Sequence, residues 1–142
     1  MLTLTCTVVE QMKRLSSLLL IGLVGCSGGS LSLGLSETTV ELDAYSGLPN
    51  PRWQLNANEV KELEDRLNGL PESAAVEIPS QLGYRGFNII DDDGKRLTVT
   101  NNGYVVLHEH DGNKFYRDTE EVQLWLKRQA EARGFGSLVK RK

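Results

Sequence analysis

The stretch GYRGFNIIDDDGKRLTVTNNGYVVLHEHDGNKFY, residues 83–116, decides the fold. Asp93-Gly94, Asn102-Gly103 and Asp111-Gly112 cut it into four apolar-polar segments, 83–90, 96–100, 104–110 and 114–116. Asp-Gly and Asn-Gly favour the positive-φ turns whose twist matches a pair of antiparallel strands, so the segments form a four-strand meander. Upstream, residues 38–45 alternate, with Val40, Leu42 and Ala44 on one side and Thr39, Glu41 and Asp43 on the other. That is the period of a half-buried strand. Ser46-Gly47-Leu48-Pro49-Asn50-Pro51 stops it, because prolines and glycine interrupt a ladder.

Two helices complete the pattern. Asn56 with Glu59 forms a capping box, Val60, Leu63 and Leu67 share one face, and Gly69 with Pro71 ends the helix. Residues 71–81 read as a loop. Asp118 caps the second helix with Glu121 at its third position; Val122, Trp125, Leu126 and Gln129 form the inner stripe and Gly134 or Gly136 closes it. The expectation is an α+β domain over residues 38–136. An antiparallel sheet of about five strands (strand, helix, four-strand meander, helix) carries two helices on one face. Residues 137–142 read as a frayed basic tail.

Composition is that of a globular protein, with 39% hydrophobic and 25% charged residues and a net charge of −3. That balance gives no global attraction to nucleic acid. The cysteines, Cys6 and Cys26, both precede the domain, which excludes a disulfide framework, a thiolate zinc site and a cysteine nucleophile within it.

The N-terminal region reads as an address. Met12-Lys13-Arg14 is a positive start, Leu15–Val24 an apolar run of about ten residues, and Gly25-Cys26-Ser27 a small-residue end. The run falls short of the roughly 20 residues needed to cross hydrocarbon. Leu23-Val24-Gly25-Cys26 resembles the lipobox of bacterial lipoproteins. The resemblance implies cleavage before Cys26, a signal peptide over 1–25 and acylation of that cysteine, with several acyl chains holding the protein to a membrane. Cleavage removes Glu10, Lys13 and Arg14, leaving the remainder slightly more acidic. Ser27 is compatible with sorting to the periplasmic face of an outer membrane. Translation is expected to start at Met12, since Glu10 spoils a longer positive region. Residues 26–37, rich in Gly and Ser, read as a tether, although alternating Leu31, Leu33 and Leu35 also fit a short docking strand.

Two motifs stand out within the domain. Tyr45, Asn50, Arg52 and Trp53 flank a Pro-Asn-Pro turn, and Tyr84 and Arg85 sit in Gly83-Tyr84-Arg85-Gly86-Phe87. Read functionally, they form an aromatic-plus-arginine surface for a glycan, peptide or lipid headgroup. Read structurally, Trp53 closes the core and the prolines fix the turn. Together the motifs are similar to those of a family of small bacterial proteins with Ser-Gly-x-Pro-Asn-Pro-x-Trp and Gly-Tyr-Arg-Gly-Phe, a resemblance that implies no activity.

His108-Glu109-His110 places two imidazoles on one face of a strand, because successive side chains alternate, and with a carboxylate such as Asp111 or Asp93 they could ligate a metal. An exposed strand face near a turn is the plainer reading. Asp91-Asp92-Asp93-Gly94 lacks the spacing and distal glutamate of an EF-hand and reads as a turn. Within residues 38–136 the Gly-x-Ser-x-Gly elbow, the P-loop, the dinucleotide fingerprint and His-Glu-x-x-His are missing. No catalytic set and no cofactor is implied. The leading expectation is a membrane-tethered, non-enzymatic envelope lipoprotein binding another envelope protein or a glycan. The alternatives are a small metal-dependent hydrolase or lyase using His108 and His110, and an inhibitor or immunity-like factor.

Overall fold

A computed structural model describes residues 37–140, so Cys26, the signal segment and nearly all of the tether lie outside the described residues. The elements in order are β1 (Thr39–Asp43), β2 (Arg52–Gln54), α1 (Ala57–Leu67), β3 (Glu72–Ser73), β4 (Gly86–Ile90), β5 (Arg96–Thr100), β6 (Tyr104–Glu109), β7 (Gly112–Arg117), α2 (Val122–Ala132) and α3 (Gly136–Val139). The strands form one seven-stranded sheet in the order β2-β1-β4-β5-β6-β7-β3. Every neighbouring pair is antiparallel. The α+β class and the meander are as the turns dictate.

The sheet is wider than the expected five strands. β2 and β3 add an edge on each side, with three and two residues respectively, too short to show a period in sequence. Tertiary contact makes them strands. Leu42 N–H donates to the Pro51 carbonyl and Leu55 N–H to Thr38, extending the β1–β2 ladder past both ends of β2. Arg117 N–H donates to the Pro71 carbonyl beside β3, inside the segment expected to be loop. The strand expected from Gly83 starts at Gly86, and the one expected to reach His110 stops at Glu109.

Cross-strand partners point to the same side of a sheet, so the register sorts the two faces. Leu42, Phe87, Val99, Val105 and Tyr116 form one inner row; Val40, Ile89, Leu97 and Leu107 form the next. These residues share a single core cluster with Val60, Leu63 and Leu67 of α1 and Val122, Trp125, Leu126 and Ala130 of α2. Each fully buried aliphatic or aromatic side chain contributes about 1.5–3 kcal/mol of transfer free energy.

The capping box of α1 forms as expected: Asn56 Oδ1 accepts from the Asn58 and Glu59 N–H groups, and Glu59 Oε2 accepts from Asn56 N–H. α2 starts later than expected. Glu121 takes a left-handed φ of 54° and the helix begins at Val122. Asp118 still caps it from a distance, its two oxygens accepting from the Val122 and Gln123 N–H groups at 2.8 Å each. Ala130, not Gln129, completes the buried stripe. Gly134 at φ 88° turns the chain into α3, which places Val139 in the core. The segment beyond residue 136 is therefore not a frayed tail as far as Lys140; Arg141 and Lys142 lie outside the described residues.

One glycine is fixed by sterics. Gly86 opens β4 at φ 143°, and a Cβ there would lie 2.1 Å from the Val99 carbonyl oxygen of the neighbouring strand. Backbone cannot move out of the way as a side chain would. Gly86→Ala is expected to lower stability by about 2–4 kcal/mol, combining conformational strain with overpacking. Urea denaturation of the two proteins measures this, and equal midpoints would refute the steric account.

Candidate binding site

The register divides the sheet into two ends. Thr38, the Asp91–Lys95 turn and the Asp111 turn lie at the end where the chain enters β1. Residues 44–51, residues 81–85 and the Asn101–Gly103 turn lie at the other, called here the far end. Both motifs singled out in the sequence meet there.

Their meeting point is polar. Asn50 Oδ1 accepts from the Ala44 and Tyr45 N–H groups at 3.2 and 2.9 Å, and its amide donates to Asp43 Oδ1 at 3.4 Å. Arg85 Nε donates to Asp43 Oδ2 at 2.9 Å while its Nη2 pairs with Asp43 Oδ1. The same guanidinium reaches the Tyr45 carbonyl, the Ser46 hydroxyl and the Gln81 carbonyl. Hydrogen bonding to Asp43 holds its pKa above the ordinary arginine value. These contacts tie the exit of β1, the Pro-Asn-Pro turn and the 81–84 loop together. Asn50, Arg85 and the backbone of Tyr45 therefore serve as fasteners.

Trp53 is also structural. It pairs with Val40 on the inner face, stacks on Phe135 at 6.1 Å and meets Phe87 edge-on at 6.3 Å. The Arg133 guanidinium lies 5.5 Å from its ring centroid and is paired with Glu59 at 3.0 Å. Only half-buried, Trp53 still packs against the core cluster.

Arg52 points the other way and starts a row of side chains across the outer face. Its Nε donates to Glu41 Oε2 at 2.5 Å, and Glu41 Oε1 accepts from Asn88 Nδ2 at 3.2 Å. Asn88 Oδ1 accepts from the Thr98 hydroxyl at 2.9 Å. Thr98 Oγ1 lies 2.8 Å from His108 Nε2, and His108 Nδ1 lies 3.1 Å from Asn113 Oδ1. The row runs from β2 through β1, β4, β5 and β6 to β7. It explains how Glu41 and Asn88, each 7% exposed, are tolerated on a sheet face.

The row engages both ring nitrogens of His108, while His110 lies beyond the end of β6 in an exposed turn. The strand thus ends too early to place the two imidazoles on one face. Among the described residues no group of three or more His, Cys, Asp or Glu side chains is placed to hold a metal ion. In the Asp91–Gly94 turn, Asp91 Oδ1 accepts from Lys95 N–H at 2.8 Å, a turn-closing bond.

Tyr84, itself buried, is the motif residue that borders a cleft. Its ring packs edge-on to Phe87 at 5.6 Å, its hydroxyl accepts from Gln123 Nε2 at 3.1 Å, and Lys127 Nζ lies 5.2 Å from its centroid. It lines a cleft of about 800 Å³ whose walls are the 81–84 loop with Asn101 on one side, and Lys127 and Glu131 of α2 with Val139 and Lys140 on the other. Such a volume lies within the usual range for small-molecule sites. Leu82, at its rim, is 85% exposed. Sequence reasoning missed Leu82, Lys127 and Val139, because the two walls come from segments over 40 residues apart (from 84 to 127) that carry no shared pattern.

Comparison with protein-family models, with curated proteins and with solved structures finds no match to this chain.

Two measurements test the local chemistry. Thr98 gives its proton to Asn88, so its oxygen accepts from His108; neutral His108 is expected to carry its proton on Nε2, and its bare Nδ1 then needs the Asn113 amide turned so that N–H and not Oδ1 faces the ring. Long-range nitrogen-15 NMR reads the tautomer directly; a predominant Nδ1–H form in the wild type would rule the row out. Burial pushes the Tyr84 hydroxyl up to about 12 against an ordinary value of 10.0, with the Gln123 bond pulling the other way. Since the folded value exceeds the unfolded one, its contribution to stability is complete below pH 10 and is lost as pH rises toward 12. Between pH 9 and 11.5, Tyr84→Phe is expected to lose less stability than wild type in urea titrations; identical losses would contradict the burial.

Proposed function

We propose that this chain is a lipid-anchored protein of the bacterial cell envelope, held to a membrane through Cys26, whose domain is a non-enzymatic binding module for an envelope protein or glycan. The lipobox-like Leu23-Val24-Gly25-Cys26 and the charged and apolar segments before it support the anchor. Ser27 after the cysteine is compatible with the periplasmic face of an outer membrane. Anchoring confines a domain to a surface and raises its effective concentration there.

One observation carries the binding reading. Leu82 and Leu48, 85% and 65% exposed, are the two most exposed large hydrophobics among the described residues. Both stand on far-end loops that Arg85 fastens together. Leu82 lines the cleft, and an exposed leucine at the mouth of a concavity of this size supports a contact surface at this end. The chain enters the sheet at the opposite end, so an extended tether directs this rim away from its own anchor. A tether of about 12 residues reaches up to about 40 Å when extended, ample for a partner beyond the lipid headgroups.

Metabolic labelling with a fatty-acid analogue is expected to mark the wild type and not Cys26→Ser; label retained in the mutant would defeat the anchor. In cells, a photo-crosslinking residue at position 82 or 48 is expected to give discrete adducts that the same residue at position 111, in the entry-end turn, does not. Adducts at 111 alone would defeat the far-end assignment.

A further inference from the structure

We infer that Asn68-Gly69, the link between α1 and β3, is a self-modification site at which the asparagine loses ammonia and the backbone is rebuilt through its side chain. The inference is independent of the binding reading above.

The chemistry needs a nucleophile beside an electrophile. The Gly69 amide nitrogen, deprotonated by hydroxide, attacks Asn68 Cγ and closes a cyclic imide. The Cγ–Nδ2 bond breaks, and ammonia leaves with a proton taken from water. Water then opens the ring. Cleavage of the new N–Cγ bond leaves an ordinary aspartyl residue. Cleavage at the main-chain carbonyl leaves an isoaspartyl link, whose backbone runs through Cβ and Cγ and is one atom longer. Glycine suits the attacking position because it has no side chain to hinder the approach.

The sequence holds two Asn-Gly pairs, Asn68-Gly69 and Asn102-Gly103, and the fold treats them differently. At the second pair both reacting groups are held: the Asn102 amide donates to the Glu77 carbonyl at 3.4 Å, and Gly103 N–H donates to the Thr100 carbonyl at 3.5 Å. Reaction there must break both bonds. At the first pair only the Asn68 N–H is engaged, donating to the Glu64 carbonyl at 2.9 Å. Among the described residues, the Asn68 side chain and the Gly69 N–H have no hydrogen-bond partner. Both residues are exposed, and a Cβ at Gly69 would meet nothing within 4 Å, so the flank is open to water.

The position gives the reaction a structural effect. Asn68 and Gly69 are the whole bridge between Leu67 and Leu70, which are 1% and 7% exposed and share the core cluster. Leu70 N–H donates back across the bridge to the Leu67 carbonyl at 3.4 Å, and the next residue, Pro71, accepts from Arg117 N–H. With both leucines fixed, an extra backbone atom must displace Leu70 or loosen β3 from β7. The new carboxylate also meets the negative end of the α1 dipole.

The test incubates the full chain at mildly alkaline pH, with and without urea, and maps its peptides by mass and by isoaspartyl methyltransferase labelling. In the folded chain, product at Asn68 is expected to form at least threefold faster than at Asn102. In urea the two rates are expected to converge. Equal rates in the folded chain, a faster Asn102, or a ratio that unfolding leaves unchanged would overturn the proposal. Asn68→Gln, whose longer side chain closes a less favoured ring, is expected to stop the reaction at this link, and product persisting there would count against it. In the isoaspartyl fraction, amide exchange at Leu70 and Arg117 is expected to quicken at least threefold. Freshly made Asn68→Asp, which adds the charge alone, is expected to exchange near the wild-type rate. Unchanged exchange in the isoaspartyl fraction would overturn the structural effect.

Discussion

One guanidinium holds the far end of the sheet. Arg85 bridges a carboxylate on β1, two carbonyls and a hydroxyl on loops that would otherwise part, and it does so with 20% of its side chain exposed against 24% for Asp43. Charge-assisted bonds in such a half-shielded place are worth more than surface ion pairs, whose median contribution is about 0–1 kcal/mol. Asn50 supplies the second half of the joint by occupying the N–H groups that β1 leaves unpaired at its end. Gly86, one residue beyond Arg85, lets β4 lie close enough to β5 for the joint to close. Without it the 44–51 turn and the 81–84 loop have no common frame, and the rim that carries Leu48 and Leu82 has no fixed shape.

The outer face follows a different logic. Its centre holds Glu41 and Asn88 nearly buried, and such groups are costly unless every donor and acceptor is used. The row from Arg52 to Asn113 uses them in sequence, each residue taking its orientation from the one before. A carboxylate on β1 thereby sets which ring nitrogen of a histidine on β6 carries a proton. That makes His108 a member of a structural row, and its solitary neighbour His110 sits outside it.

What could be read from the residues was local. The Asn56–Glu59 box, the Asp-Gly and Asn-Gly turns and the stripes of both long helices are short-range patterns with a mechanism, and each produced its element. What could not be read depended on partners far along the chain. Arg85 and Asp43 are 42 residues apart, Asn88 and Glu41 47, and only the register brings them together. β2 and β3 are strands by virtue of their neighbours, since two or three residues have no period. Glu121 shows the limit of cap rules: a left-handed residue between Asp118 and the helix shifted the start while leaving Asp118 its task. The candidate site was legible in one residue, Tyr84; its other wall comes from α2 and α3.

The two edge strands have a bearing on how the sheet meets other chains. β2 and β3 carry three and two residues, so each outer margin offers a visiting strand only a few N–H and C=O groups. β2 also exposes Arg52 and Gln54. A seven-stranded sheet with long bare margins would be a template for its neighbours. Here the margins are clipped so short that side-by-side zippering finds almost no backbone to grip.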